Sequence, residues 1–189
     1  PIYVNSTIFL FIGGFMIAVT MEKWRLHKRI ALWIIRRIGG GPSRIILGFM
    51  VAAAFLSMWI SNTATAIMMV PIAMAIILQL EERFGENACH PFTVALMLGI
   101  AYACSLGGMA TLVGTPPNLS FARIFEITFP NEEPIAFGQW LVMALPISLI
   151  MLTIVWLLLT RVFFRFGESF EVDRDVVNRE YAALGSMSF

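Results

Sequence analysis

Charged side chains are scarce in this sequence and are absent from two long stretches. Only 13% of the residues are Asp, Glu, Lys or Arg, whereas 59% are hydrophobic. No Asp, Glu, Lys, Arg or His occurs in residues 45–80 or in residues 91–122. A soluble domain of this size rarely has so few charges, so the composition predicts a membrane protein. A proton relay inside a membrane usually needs a carboxylate or a histidine, and neither stretch supplies one.

Other patterns that carry chemistry are also missing. The sequence has two cysteines, Cys89 and Cys104, without metal-ligand spacing or a disulfide framework. Its 13 Lys and Arg residues flank apolar segments and form no patch interleaved with aromatic residues, which argues against nucleic acid as a partner. No Ser/His, Asp/Asp or His-Glu-x-x-His constellation is present, so the chain is not expected to be an enzyme.

The first charge-free stretch is too long for a single membrane helix. As one straight helix, residues 45–80 would reach about 54 Å, whereas the hydrocarbon core of a bilayer is about 30 Å thick. The polar tripeptide Ser-Asn-Thr at residues 61–63 lies in its middle, and two full spans would need about forty apolar residues and a loop. We therefore predict a re-entrant helical hairpin over residues 44–81, with arms about 22 Å long and its polar tip deep in the membrane.

The second charge-free stretch is interrupted as well. Residues 107–108 are two glycines, and residues 114–118 read Gly-Thr-Pro-Pro-Asn. Neither segment fits inside a regular helix, because proline removes a backbone donor and glycine has low helix propensity. We predict a broken transmembrane helix over residues 91–129, whose first half ends near Gly107 and whose second half begins near Pro117.

The remaining segments complete an all-α integral membrane fold with spanning helices, a re-entrant hairpin and a broken helix. Residues 1–23 and 135–165 are predicted to be transmembrane helices. Residues 24–41 have an apolar face and a basic remainder, which is typical of an amphipathic helix lying in the membrane surface. Residues 81–90 are expected to form a short polar loop. Residues 166–189 are polar and are interpreted as a cytoplasmic linker.

The distribution of positive charge predicts the orientation. If residues 1–23 run inward and the hairpin enters and leaves on the inside, every Lys and Arg except Arg123 lies on the cytoplasmic side. The single outer loop, residues 126–134, contains three glutamates and no basic residue. We therefore expect a multi-pass protein of the plasma membrane, whose hairpin opens toward the cytoplasm.

We predict first that the two breaks bind a cation. Ser57 and Ser61 are spaced i, i+4, so they share one helix face and can converge on one ion. Neutral oxygens and the carboxyl ends of half-helices suit a hard monovalent cation such as sodium. The available oxygens are the hydroxyls of Ser57, Ser61, Thr63, Thr65, Ser105, Thr111 and Thr115, the amides of Asn62 and Asn118, and the carbonyls freed at each unwound turn.

The second predicted function of the breaks is to bind an anion. Each break is followed by a half-helix, whose first N–H groups and partial positive charge favour an anion. Asn62 and Thr63 head the first of these half-helices, and Pro117 and Asn118 head the second. Cation and anion sites at one depth indicate a coupled transporter. The glycines at residues 107–108 have two interpretations, close helix packing or coordination of the cation.

The two breaks also carry a resemblance to a known family. Residues 61–66, Ser-Asn-Thr-Ala-Thr-Ala, and residues 107–118, Gly-Gly-Met-Ala-Thr-Leu-Val-Gly-Thr-Pro-Pro-Asn, closely resemble signature segments of the divalent anion/sodium symporters. That family comprises sodium-coupled dicarboxylate, citrate and sulfate transporters. The similarity extends to residues 13–15, 21–24 and 182–188, so nearly the whole chain resembles the N-terminal half of such a protein.

The resemblance implies the site residues and the partners. It places sodium between Ser57, Ser61, Asn62 and the backbone around residues 114–116, and it places a substrate carboxylate at Asn62 and Thr63. Because the family has two Ser-Asn-Thr tips and this chain has one, it also implies a missing C-terminal half built as an inverted repeat, in a homodimer within the lipid bilayer. Taken together, sodium is assigned to Ser57, Ser61, Asn62, Gly108, Gly114, Thr115 and Pro116, and substrate to Asn62, Thr63, Pro117 and Asn118.

The predicted function is sodium-coupled transport of di- or tricarboxylate anions, by a protein of which this chain is one piece. C4-dicarboxylates such as succinate are favoured, while citrate and sulfate stay open. The nearest alternatives are a sodium-independent anion transporter or exchanger and an arsenite-type extruder, both of which would work without sodium. A channel is a further alternative, and conductance without sodium dependence would favour it.

Overall fold

A computed structural model describes residues 26–38, 41–164 and 166, together with residues 9, 12–14, 16, 19–20 and 23–24. No strand occurs in these parts of the chain, which confirms the all-α class. Most of the helix predicted for residues 1–23, and nearly all of the linker predicted for residues 166–189, lie outside the described residues. The helices are α1 (Leu26–Ile38), α2 (Pro42–Ser57), α3 (Asn62–Phe84), α4 (Glu86–Met109), α5 (Pro116–Thr128) and α6 (Phe137–Leu157), and α6 continues as a wider π-helical turn over Leu158–Phe163.

Three helical segments are long and apolar enough to cross a membrane. They are Asn62–Phe84, Glu86–Met109 and Phe137–Phe163. Their length and composition agree with the predicted integral membrane fold. The last of them is the most exposed, because only 11% of its apolar window is buried within the described structure.

The first break lies where the sequence predicts it. α2 ends at Ser57, and α3 begins at Asn62 with Ser61 as its N-cap residue. The first arm has 16 residues, but the second has 23 and is longer than expected. The difference arises at its far end, where the helix continues through the charged residues 81–83. Glutamate and arginine are good helix formers, so polarity alone does not end a helix.

The polar loop predicted for residues 81–90 is wrong. α3 continues to Phe84, a single residue, Gly85, turns the chain, and α4 starts at Glu86 instead of Pro91. Gly85 has a φ of 85°, a conformation that glycine adopts without steric cost. Pro91 lies in the second turn of α4, where its missing N–H costs one hydrogen bond near the helix end.

The second break follows the prediction closely. α4 ends at Met109 and α5 begins at Pro116, with Pro116 and Pro117 in its first turn. Proline suits these first positions because their N–H groups have no partner within the helix. The 110–115 segment between the two helices has no regular structure and supplies the unwound turn.

The core of the described structure is the contact between the hairpin and α4. Phe49 and Met50 of α2, Met69 and Ile76 of α3, and Leu96 of α4 are all at most 1% exposed. α1 packs against the outer side of α2 through Ile35, whose Cα would lie 3.3 Å from a Cβ atom added at Gly48. The hairpin is thus held between α1 and α4, and its tip is fixed relative to the second break. Whether α1 lies in the membrane surface stays a prediction.

Two contacts show which helix ends lie together. The Trp156 Nε1 group donates a 2.9 Å hydrogen bond to the Ser43 carbonyl, which joins the end of α6 to the start of α2. The rings of Phe92 and Phe166 meet edge to face with centroids 6.2 Å apart, which joins the start of α4 to the chain beyond α6. Since Gly85 joins α3 directly to α4, both outer ends of the hairpin lie at this end of the molecule.

Candidate functional site

The hairpin tip meets α4 at the side chain of Ser57. Its hydroxyl lies 2.6 Å from Asn62 Oδ1, across the hairpin tip, and 2.7 Å from the carbonyl oxygen of Cys104 in α4. Ser57 is fully buried. A hydroxyl carries one proton, so it can donate to only one of these two acceptors at a time. The cluster is therefore richer in lone pairs than in protons, an arrangement that can accept a cation.

Glycines allow the backbone to approach this cluster. A Cβ atom at Gly108 would overlap Asn62 Oδ1, and a Cβ atom at Gly114 would lie 2.6 Å from the Gly108 carbonyl oxygen and 2.8 Å from the Ser57 carbonyl oxygen. Gly107 serves packing instead, because its Cβ atom would overlap the Ala54 carbonyl of α2. Of the two interpretations of the glycine pair, close packing describes Gly107, while Gly108 lies against the oxygen cluster.

The unwound turn is tied internally by Thr111 and Asn118. The Thr111 hydroxyl donates to the Met58 carbonyl at 2.6 Å and accepts from the Gly114 N–H at 3.0 Å, so it links the hairpin tip to the second break. Asn118 Nδ2 donates to the Gly108 carbonyl at 3.0 Å and to the Thr111 carbonyl at 2.7 Å. Both side chains are buried. They satisfy carbonyls that the break frees, which irregular backbone inside a membrane requires.

These contacts separate the predicted site residues into two groups. Ser57, Asn62, Gly108 and Gly114 come together around the oxygen cluster. The other group lies around the helix starts: Ser61, whose hydroxyl accepts the Ala64 N–H at 3.3 Å, the exposed Thr63, and residues 115–118. The amide nitrogen of Asn118 donates to two carbonyls at the break, and its assignment to the substrate site stays a prediction.

The two half-helix starts differ in the donors that they offer. In α5, Pro116 and Pro117 have no N–H, and the Asn118 N–H donates to the Thr115 carbonyl at 3.2 Å. In α3, the Asn62 and Thr63 N–H groups have no acceptor among the described residues. The start of α3 therefore has the free donors that an anion needs.

Some residues at this site carried no signal in the sequence. The Cys104 carbonyl is a backbone atom of a regular helix, and only the packing of α2 on α4 brings it to Ser57. Ser148 and Trp140 of α6 donate to the carbonyls of Leu106 and Met109 in the last turn of α4. For Ser148 the only indication in the sequence is a serine within an apolar helix, because its hydroxyl needs a partner there.

Comparison with known proteins agrees with the geometry. Residues 2–181 match the model of the citrate transporter family (CitMHS). Over 99% of its length the chain is 38% identical to the sodium-dependent dicarboxylate transporter SdcS of Staphylococcus saprophyticus, and 40% identical to the protein of the same name from Staphylococcus aureus. The chain spans 37% and 36% of the length of these two relatives.

The family match covers nearly the whole chain and includes both breaks. Together with the two relatives named sodium-dependent dicarboxylate transporters, it confirms the resemblance, and it identifies a class of transporters and not of enzymes. The apolar helices agree with a multi-pass membrane protein. This chain belongs to the citrate transporter family.

Proposed function

We propose that the protein containing this chain couples the transport of a di- or tricarboxylate to sodium. The chain would provide the first sodium site and one side of the substrate site. The observation that carries the proposal is the cluster of Ser57 Oγ, Asn62 Oδ1 and the Cys104 carbonyl oxygen, in charge-free stretches of the sequence. The sodium-dependent dicarboxylate transporters to which the chain is similar support C4-dicarboxylates as the favoured substrates.

The cation argument starts from the protons in the cluster. With one hydroxyl proton for two acceptors, one close oxygen pair always has lone pairs facing each other. A monovalent cation between the oxygens would remove that repulsion and would use the partial negative charge at the end of α2. Because Asn118 and Thr111 already satisfy the Gly108, Thr111 and Met58 carbonyls, the ligands left for a cation would be the Ser57 carbonyl and the cluster oxygens, which share the one Ser57 proton.

The anion argument starts from the first turn of α3. The Asn62 and Thr63 N–H groups and the exposed Thr63 hydroxyl are the donors nearest to the oxygen cluster along the chain. Asn62 has its oxygen at the cation cluster, which leaves its Nδ2 group to donate to a carboxylate. One side chain would then contact both ligands, so that each ligand favours the binding of the other.

The same proposal includes the setting of the chain in the membrane. Both outer ends of the hairpin lie at the end of the molecule where α4 begins and α6 ends, which supports a re-entrant hairpin that opens toward one side. Its tip lies beside the last turn of α4. Leu106 of that turn is bonded to Ser148, near the middle of the 27-residue segment Phe137–Phe163, so the site would lie near the bilayer midplane. We propose a cytoplasmic opening in the plasma membrane, a C-terminal half with a second tip, and a homodimer.

Uptake by the full-length protein in proteoliposomes tests the proposal. We expect succinate uptake to require an inward sodium gradient, to persist with a proton uncoupler, and to be lost when choline replaces sodium. Ser57→Ala should raise the sodium concentration for half-maximal uptake by about tenfold. Ser120→Ala is the matched control, because the exposed Ser120 hydroxyl bonds only within its own helix, at 3.2 Å to the Pro116 carbonyl.

Succinate uptake that continues in choline would contradict sodium coupling and would favour the sodium-independent exchanger. Sodium-dependent uptake with equal sodium affinity in Ser57→Ala and Ser120→Ala would retain the coupling but remove the oxygen cluster as its site.

A further inference from the structure

The last turn of α4 is wound more tightly than the rest of the helix. In a regular α-helix the Ala110 N–H would donate to the Leu106 carbonyl, four residues back. Here it donates to the Gly107 carbonyl at 3.0 Å, three residues back. The tighter turn frees the Leu106 carbonyl, which is buried and therefore needs another donor.

That donor comes from a different helix. Ser148 of α6, a buried residue that is 5% exposed, donates to the Leu106 carbonyl at 2.6 Å. Three residues further along α4, the Met109 carbonyl accepts from Trp140 Nε1 at 3.0 Å. α6 thus contributes two side-chain donors to the end of α4, although the rest of its surface is largely exposed.

The two α6 donors bond to the side of the last turn of α4 that faces away from the oxygen cluster. Cys104 and Gly108 are four residues apart and share the helix face that contacts Ser57 and Asn62. Leu106 lies between them in sequence, about 200° around the helix from each, and faces α6. The hairpin and α6 therefore hold the same turn from opposite sides.

We propose that Ser148 is a positioning residue that sets the sodium affinity of the site by keeping the last turn of α4 tightly wound. The inference rests on the proposed sodium-coupled function. The Ser148 hydroxyl donates to the Leu106 carbonyl, so the Ala110 N–H remains bonded to the Gly107 carbonyl. Without it, the Leu106 carbonyl competes for the Ala110 N–H and the turn relaxes toward a regular α-helical turn. That change displaces Gly108, which contacts Asn62 Oδ1, and so alters one wall of the cation site.

Sodium titration of full-length variants in proteoliposomes tests the positioning role. For Ser148→Ala we expect the sodium concentration for half-maximal succinate uptake to rise about tenfold, as when a residue that orients metal ligands is removed. The maximal rate at saturating sodium should change by less than about twofold. Ser148→Thr keeps the hydroxyl and should restore the wild-type sodium affinity.

Thr153→Val is the matched control on the same helix. The Thr153 hydroxyl is exposed and bonds only to the Leu149 carbonyl of its own helix at 2.8 Å, so its removal should leave sodium affinity unchanged. If Ser148→Ala does not accumulate, Trp140→Phe removes the neighbouring donor and keeps an aromatic ring beside Phe121, and it should weaken sodium affinity in the same direction.

The possible results separate this inference from the proposed function. Wild-type uptake that depends on sodium, with unchanged sodium affinity in Ser148→Ala and in Trp140→Phe, would overturn the positioning role alone. A maximal rate that falls without any change in sodium affinity would also overturn it, because the hydrogen bond would then be structural. Wild-type uptake without sodium dependence would instead contradict the proposed function.

Discussion

At the residue scale, Asn62 is the side chain on which the proposed coupling depends. Its Oδ1 accepts from the Ser57 hydroxyl at 2.6 Å and lies against Gly108. It is also the first residue of α3, where backbone N–H groups are free. An amide has an acceptor and a donor end, so Asn62 can face a cation and an anion at once.

A charge placed at Asn62 should therefore affect the two ligands in opposite ways. Asn62→Asp keeps the size and the acceptor but adds a negative charge where the substrate carboxylate would lie, and like charges repel strongly at low dielectric. We expect succinate binding to weaken at least tenfold while sodium binding without substrate is retained or strengthened, as measured by calorimetry on the full-length protein.

Asn118→Asp is the comparison for this experiment. It replaces the amide that donates to the Gly108 and Thr111 carbonyls, so it should lower the apparent Tm without strengthening sodium binding. Succinate affinity within about twofold of wild type in Asn62→Asp, a change well under 1 kcal/mol, would remove Asn62 from the substrate site.

A second residue-scale prediction concerns the buried hydroxyl of Thr65. Thr65 is fully buried, and its Oγ1 has no hydrogen-bond partner in the described structure. It lies on the same face of α3 as Met69 and Ile72, which pack in the core. Thr65→Val keeps the shape and removes an unpaired polar atom, so we expect unchanged or higher stability, by up to about 1 kcal/mol.

Thr111→Val tests the opposite case on an equally buried threonine. Its hydroxyl joins the Met58 carbonyl to the Gly114 N–H, so its loss leaves two groups unsatisfied and should cost about 1–3 kcal/mol. Thermal unfolding of the purified full-length variants measures both changes. A Thr65→Val variant that is less stable than Thr111→Val would show that the Thr65 hydroxyl has a partner.

At the element scale, the site depends on how closely α2 and α4 approach. The approach is possible because Gly107 has no side chain where α4 meets the Ala54 carbonyl of α2. Three residues beyond Ala54, Ser57 reaches the Cys104 carbonyl at 2.7 Å. The packing of two helices therefore decides whether the oxygen cluster forms.

Gly107→Ala tests this dependence. The added Cβ would overlap the rigid Ala54 carbonyl, so the helices must separate, at a cost of about 1–3 kcal/mol or more. We expect a lower apparent Tm and a weaker sodium dependence of uptake in the full-length protein.

Gly99→Ala is the matched control in the same helix. Its Cβ would meet side chains and no backbone, with Met50 Cγ at 3.2 Å and Ile46 Cγ2 at 3.4 Å, and the flexible Met50 side chain can move. Similar losses of stability in Gly99→Ala and Gly107→Ala would contradict a specific role for the contact with Ala54.

At the scale of the whole molecule, the ends of the helices define the orientation to be tested. One end of the molecule contains the start of α2, the junction of α3 with α4 and the end of α6. Arg44, Arg83 and Arg161 belong to these three segments. The connection between α5 and α6 lies toward the other end, because Trp140 near the start of α6 contacts Met109 at the end of α4. This connection contains Glu132 and Glu133. The positive end is expected to face the cytoplasm.

Cysteine labelling of the full-length protein measures this orientation. A cysteine at the exposed Asn131 should react with an impermeant thiol reagent added outside intact cells, whereas a cysteine at the exposed Glu86 should react only after permeabilisation. The native Cys89 and Cys104 are buried, and the unsubstituted protein provides the background. Labelling in the reverse pattern would overturn the orientation and place the opening of the hairpin outside.

The sequence by itself determined the class of the protein and the position of both breaks. Residues 45–80 and 91–122 contain no charged residue, which identifies them as membrane segments. The polar residues of the hairpin tip, and the Gly and Pro residues of the second stretch, show where the helices cannot continue. These are local properties of the chain, so the sequence alone places Ser57, Asn62, Gly108 and Gly114 at or beside the breaks, and their role in binding stays a prediction. The turn at Gly85 was missed because charged residues also form helices.

Only the tertiary structure decided which atoms meet. The Cys104 carbonyl reaches Ser57 because α2 packs on α4, and Ser148 reaches Leu106 because α6 packs on the other side of the same turn. The Asn118 amide donates to the Gly108 and Thr111 carbonyls, which the break leaves without helical donors. Backbone carbonyls are identical in every residue, so their availability depends on how the helices end and pack, and sequence patterns do not report it.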